Sequence, residues 1–402
     1  MMTSEQLKKF EKLNRAFTPN QPIYLPDFLA GRLDLLFKVQ DRVKTPGLHI
    51  ILYGERGTGK TSIARVLAHL LQEPKKQDGY RSIFVGCVSS DGYASIWNKI
   101  SREILTAQRQ LGFTQQGLAT ITGRLDITNT INEPNDARLF VEALPNPSII
   151  IIDEFDRVPT HTNTRRLMAD TIKLFSDTNT KSTLIIVGVA ESISELFSEH
   201  QSITRNIDEI HVEPMNITEL SEIIQKGYKL AELKYQKNID VLIAGLSQGY
   251  PHYTHLLGLW AGRHAVEEDR TEVTTADLDR AINDALQNVT GSVKQEYEKA
   301  IDSAYPNALF KDVLLACALA PKDSVGKFSL ADVKEPLSRI TGHDYQTSAY
   351  QAHLAKFCEP KRGPVLKRTG ERRNYRWKFI NPHLIAYVQL AGIEDGSIAK
   401  TY

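Results

Sequence analysis

The sequence predicts an α/β fold centred on a parallel sheet covered by helices on both sides. Three observations predict it. Five short β-type runs alternate with longer mixed segments over the first half of the 402 residues. Most runs are nearly continuous in Ile, Val and Leu, as a strand buried on both faces requires. The first run ends in a glycine-rich loop that leads into a helical pattern. Open α/β sheets hold their ligands at the C-terminal ends of their strands in this way.

The runs are HIILYG (49–54), SIFVGCV (82–88), SIIIID (148–153), TLIIVGVA (183–190) and DEIHVEP (208–214). From Thr218 to about Val289 the pattern turns helical, with three-to-four spacing in TELSEIIQKGYKLAEL and DLDRAINDAL. After Gly291 a third region begins. PNALFKDVLLACAL, SLADVKEPLSRITG and TSAYQAHLAKF each read as a helix. Pro336 inside the second predicts a kinked or shortened one. In the third, Tyr350, Leu354 and Phe357 share an apolar face. GPVLKR and RNYRWKF then alternate as two strands joined at Thr369-Gly370, with Tyr375, Trp377 and Phe379 opposite Arg376 and Lys378, and a short helix follows. The domains expected are 1–213, 214–290 and 291–402. The stretch from Ser89 to Leu144 is long and polar, and no role follows from it.

Composition narrows the classes. Apolar residues make up 41% and charged residues 24%, with a net charge of +1, so no global field recruits nucleic acid or a membrane. The opening MMTSEQLKKF lacks the apolar core of a signal peptide, and no apolar run is long enough to cross a bilayer. Cys87, Cys317 and Cys358 have neither metal-ligand spacing nor an even count. A cytoplasmic protein is expected.

Gly54-Glu55-Arg56-Gly57-Thr58-Gly59-Lys60-Thr61-Ser62 follows the pattern G-x-x-x-x-G-K-[ST]. Glycines let successive N–H groups turn inward onto phosphate oxygens, and the helix that follows favours an anion at its N-terminus. Lys60 is placed to reach the β and γ phosphates of ATP, and the Thr61 hydroxyl to ligate Mg²⁺. The strand run 148–153 ends in Asp153-Glu154. Asp153 suits the Mg²⁺ shell, and Glu154 suits the general base that polarises the attacking water. Asp156 and Arg157 read as a salt-bridged surface pair.

With these motifs in order the chain resembles the AAA+ superfamily of ATPases over roughly residues 25–290. The resemblance is nearest the branch that holds origin-recognition replication initiators and signalling STAND ATPases. FLAGRLDLLFKV resembles the Gly-Arg box ahead of the nucleotide site, which implies Arg32 as a binding residue. EHQSITRNIDEIHVEPMNITEL resembles the segment joining core to helical lid, with Pro214, Glu219 and Leu220. There Arg205 matches the arginine that completes a neighbouring subunit's site, so a homo-oligomer is implied; a surface salt-bridge arginine is the competing reading. Glu191 or Ser192 stands where initiators carry a polar water-orienting residue, which implies slow hydrolysis. Gly249-x-Pro251 resembles the STAND lid motif, in which Pro251 packs near the adenine and ribose. His252 and His255 are either close to the nucleotide or plain helix histidines.

The third region resembles the winged-helix domain that follows the lid in origin-recognition ATPases. Residues 359–378 carry eight bases, Lys361, Arg362, Lys367, Arg368, Arg372, Arg373, Arg376 and Lys378, against Glu359 and Glu371. Such local charge suits the phosphate backbone of double-stranded DNA. It equally suits a wing that packs on a protein partner. Two functions follow: a DNA-contacting ATPase, or a nucleotide-gated switch acting on a protein effector, plausible in antiviral defence.

Overall fold

The computed structural model describes residues 3–72, 80–110, 131–197, 202–288, 291–305, 308–323, 325–371 and 374–399. In chain order its helices are α1 Ser4–Ala16, α2 Leu33–Val43, α3 Lys60–Leu71, α4 Tyr93–Gln110, α5 Pro134–Glu142, α6 Thr164–Asp177 and α7 Ile193–Leu196. There follow α8 Ile217–Leu230, α9 Ile239–Leu246, α10 Pro251–Glu267, α11 Thr275–Asn288, α12 Gly291–Ile301, α13 Phe310–Leu319, α14 Lys334–Thr341, α15 Thr347–Lys356 and α16 His383–Glu394. The strands are β1 His49–Gly54, β2 Arg81–Gly86, β3 Ser148–Asp153, β4 Ser182–Val189, β5 Ile207–His211, β6 Lys234–Tyr235, β7 Glu272–Val273, β8 Leu366–Thr369 and β9 Arg376–Phe379. They form two compact units, one of Pro22–Glu55 and Gly59–Glu213, the other of Met1–Gln21, Arg56–Thr58 and Pro214–Tyr402.

The first unit holds a five-stranded sheet in the order β2-β3-β4-β1-β5, every pair parallel. Its centre explains the unbroken apolar runs. Ile149 and Ile151 of β3 join one core cluster, with Leu36, Ile63 and Leu67 from α2 and α3. Ile150 and Ile152 join the opposite one, with Trp97 from α4 and Phe175 from α6. Alternate side chains point to opposite faces, so a strand covered on both sides needs apolar residues throughout. Each fully buried branched side chain contributes about 1.5–3 kcal/mol. The runs were legible to within a few residues. β2 stops at Gly86 and β5 at His211, leaving Cys87–Val88 and Val212–Pro214 outside the strands.

His49 at the start of β1 is 1% exposed. Its Nδ1 accepts the Leu184 N–H at 2.9 Å, which fixes the neutral ring. Burial pushes its pKa from 6.5 down to about 4. The unfolded chain therefore takes up a proton that the native chain refuses. Stability is expected to fall as pH drops from 6.5 to 4, by up to about 1.4 kcal/mol per pH unit for one histidine. Urea midpoints across that window, for wild type and His49→Gln, check this. An equal slope in the two proteins removes His49 from the account.

In the second unit α1 packs on α8 and α10. Its cap Thr3 accepts the Gln6 N–H while the Gln6 side chain accepts the Thr3 N–H. Phe17 follows α1 and is 1% exposed. A Cβ on Gly227 would meet its ring at 2.2 Å and one on Gly258 at 2.7 Å, so the two glycines make the seat for that ring. Asp277, fully buried, fastens the start of α11 through Arg270 at 2.6 Å, Arg280 at 2.8 Å and the Thr274 N–H at 2.8 Å. These bonds hold its carboxyl near a pKa of about 2 against the upward pull of burial.

Further on, Pro336 falls in the first turn of α14, after a 3-10 turn at Ala331–Val333. The helix is thus shortened, and no backbone donor is lost where proline stands. Tyr350, Leu354 and Phe357 are buried together, as are Trp377 and Phe379. β8 and β9 pair antiparallel, with Gly370 at a φ of 88° in the turn.

Candidate nucleotide site

The loop after β1 needs its glycines. Gly54 sits at a φ of 146°, and a Cβ there would lie 2.4 Å from the Val212 carbonyl oxygen. Gly57 and Gly59 have φ of 85° and 92°, in the left-handed region. Gly59 caps α3, so the helix starts at Lys60. Thr58 and Lys60 are buried, and the Lys60 ammonium donates to the Gly54 carbonyl at 3.0 Å and to the Glu55 carbonyl. Ser62 faces elsewhere: its hydroxyl accepts the Ile23 N–H at 3.1 Å and fastens the strap Pro22–Leu25 to α3. Arg32 is buried, and its guanidinium donates to the Glu213 carbonyl.

Asp153 ends β3 and is 5% exposed. The Thr61 hydroxyl and the Glu154 N–H both donate to its carboxylate, the latter at 2.9 Å. Burial raises its pKa, partly opposed by those two bonds and by the charge of Arg65. Glu154 has φ 55° and ψ 35°, a left-handed backbone rare outside glycine. Its carboxylate pairs with Arg157 at 2.9 Å on the surface.

That pair corrects the sequence reading of Asp156 with Arg157. Asp156 instead accepts the Val189 N–H at 2.8 Å, joining the loop after β3 to the end of β4. Arg165 of α6 strengthens the join. It donates to the carbonyls of Val158 at 2.8 Å, Asp156 at 2.9 Å and Glu195. Sequence reasoning missed Arg165 because a helix arginine has no local signature; its partners come from two other loops. Glu191 donates its N–H to the Glu195 carboxylate, and Ser192 shares a hydrogen bond with Ser194, each at 2.8 Å. Arg205 is exposed and pairs with Asp177 at 3.5 Å.

In the second unit Pro251 is the first residue of α10. His252 bonds the Pro19 carbonyl at 2.8 Å, and His255 accepts the Thr18 N–H at 3.3 Å. Both histidines hold the N-terminal segment, the plainer of the two readings. Burial lowers both pKa values, that of His255 to about 4. The loop tip Arg56–Thr58 groups with this unit. A Cβ on Gly57 would lie 3.0 Å from His383 Nε2 and 3.5 Å from the Tyr250 ring. Burial, with the charges of His252 and Arg56, pushes His383 down to about 4. Nothing local in the sequence marks His383.

The basic residues of 359–378 divide. Arg362 turns inward: it stacks on Phe310 at 3.3 Å and donates to the carbonyls of Ala300 and Asp302 at 2.6 and 2.8 Å. These bonds clamp it to the end of α12 and the start of α13. Arg368 lies 4.4 Å over the Tyr375 ring, and Arg376 is 3.8 Å from Asp332. Lys361 and Lys367 are exposed, and Lys378 is half-buried. Arg372 and Arg373 lie outside the described residues.

Residues 43–197 match the model of the AAA domain. A comparison with curated protein sequences gave no match. Among solved structures, the Aeropyrum pernix ORC2 protein is similar at a TM-score of 0.54 and 13% identity, over 95% of this chain and 97% of that one. Cdc6p from Pyrobaculum aerophilum scores 0.49 at 15% identity, over 96% and 99%. The Aeropyrum pernix ORC1 protein in complex with DNA scores 0.49 at 16%, over 92% and 95%. No helix among the described residues is long and apolar enough to cross a membrane. The chain is built on a P-loop AAA+ core set in a five-stranded parallel α/β sheet, followed by a helical C-terminal region.

Proposed function

We propose that the chain is an ATP-binding and ATP-hydrolysing AAA+ switch that assembles into oligomers and contacts duplex DNA through its C-terminal basic hairpin. The observation that carries the reading is the buried Lys60 ammonium held on the Gly54 and Glu55 carbonyls inside the glycine loop, with Thr61 next to it in the chain and buried Asp153, followed by Glu154, ending β3 of the same sheet. A hydroxyl and a carboxylate are hard oxygen donors and fit Mg²⁺, which when bound neutralises charge on the β and γ phosphates. In this reading Lys60 and the amides of residues 54–62 hold the triphosphate. Glu154 takes the proton of the attacking water, and Arg205 completes a neighbouring copy's site. The domains are then a core of 1–213, a lid of 214–290 and a winged helix of 291–402.

A second reading, a nucleotide-gated switch acting on a protein partner, is favoured by one observation. Tyr250 and His383 lie against Gly57 at the tip of the phosphate loop. A gel shift with duplex DNA at rising salt separates the readings. Exposed Lys361 and Lys367 are expected to act as phosphate contacts. Replacing both by Gln should weaken binding and flatten the salt slope by about two. Absence of salt-sensitive DNA binding in the wild type favours the partner-directed switch.

A further inference from the structure

We propose that Arg157 is a brake on Glu154: its guanidinium holds the carboxylate in an ion pair and slows ATP hydrolysis until the pair is broken. The brake rests on Glu154 being the base of the proposed hydrolysis. Glu154 takes the left-handed backbone, with φ 55° and ψ 35°, and the 3-10 turn Phe155–Arg157 follows at once. The Arg157 N–H donates to the Glu154 carbonyl at 3.0 Å, so the two side chains leave the backbone within one tight turn. The guanidinium then meets the Glu154 Oε2 at 2.9 Å.

A pair of half-exposed side chains is ordinarily loose, because two long chains must be ordered to make it. Here other contacts order the backbone beforehand. Phe155 is fully buried and stacks on Phe197 at 5.1 Å. The carbonyls on either side of Arg157, those of Asp156 and Val158, accept from the Arg165 guanidinium at 2.9 and 2.8 Å. Position 157 is thus clamped before and behind, and only its side chain has to find Glu154. Asp156 also attracts the guanidinium. One oxygen of that competing acid is taken by the Val189 N–H at 2.8 Å.

Charge decides the direction of the effect. As the attacking water bonds to the γ phosphorus, the bond to ADP breaks and the water's proton passes to the base. The proton cancels the carboxylate's charge, so the attraction to Arg157 is forfeited as the barrier is climbed. The adjacent cation therefore makes Glu154 a poorer base and leaves the grip on ATP alone. For an exposed pair the penalty is a factor of up to about five in rate.

The test is a charge ladder at position 157, read by single-turnover hydrolysis and by a calorimetric Kd for ATP. Arg157→Gln is expected to hydrolyse ATP up to about fivefold faster than wild type. Arg157→Glu should be faster still, and Arg157→Lys, which keeps the charge, slower than Arg157→Gln. Kd should not follow the ladder. Raising NaCl from about 0.05 to 0.5 M should speed wild type relative to Arg157→Gln, because salt screens an exposed pair. A further readout needs no nucleotide. Carbodiimide coupling of glycine ethyl ester to Glu154, followed by peptide mass spectrometry, is expected to run faster in Arg157→Gln. Hydrolysis by Arg157→Gln that is equal to wild type or slower overturns the proposal, a slower rate meaning that the arginine assists the phosphate charge. Glu154→Gln keeps the two readings apart. If it stops turnover while the ladder is flat, Glu154 remains the base and the brake alone fails. If it turns over like wild type, the base is another residue and the brake falls with it.

Discussion

A Lys60→Ala protein is expected to lose ATP binding while keeping its fold. The lysine ammonium bonds the Gly54 and Glu55 carbonyls at the loop's mouth and is mostly shielded from water. A charge-assisted contact to phosphate in such a place is worth about 2–5 kcal/mol when one partner is truncated. That corresponds to roughly 30- to 5,000-fold in Kd. The loop keeps its glycine backbone and the amides that curl with it, so the loss is of affinity, not of architecture. Calorimetric titration with Mg-ATP, beside a thermal melt, checks both halves. Undiminished affinity in a folded variant would mean the triphosphate lies elsewhere.

Replacing Glu154 by Gln should separate binding from turnover. The amide keeps the size of the side chain and its hydrogen bond from Arg157 but cannot accept a proton from water. General-base catalysis typically contributes 10²–10⁴-fold, so kcat should fall by about that factor with Kd for ATP nearly unchanged. Stability should move little, because the Glu154–Arg157 pair is surface-exposed and such pairs are worth about 0–1 kcal/mol. Single-turnover hydrolysis with bound nucleotide measures the chemical step directly. Wild-type turnover would assign the base to another residue.

The parts of the fold that could be read in advance are those that local spacing encodes. Ile149 to Ile152 announce a strand covered on both faces because no other environment rewards four consecutive branched residues. Gly54 to Thr61 announce a phosphate loop because the bends and the lysine fall within one short stretch. Asp153 and Glu154 were legible for the same reason, as acids ending an apolar run. What spacing does not encode is which distant group a side chain meets. Arg362 counted as one of eight solvated bases, yet it stacks on Phe310, fifty-two positions earlier. Asp156 seemed the natural partner of its neighbour Arg157, yet it closes onto a β4 amide. Arg165 and His383 gave no signal at all, since their partners come from separate loops and helices.

The seat that Gly227 and Gly258 make for Phe17 bears on how the protein can be handled. A shortened version begun at the phosphate-loop strand would leave a hollow the shape of a benzene ring between two helices. That notch would be open to water. Trimming the leading twenty residues, a routine economy in recombinant production, would therefore trade a tidy start for a sticky, poorly soluble product.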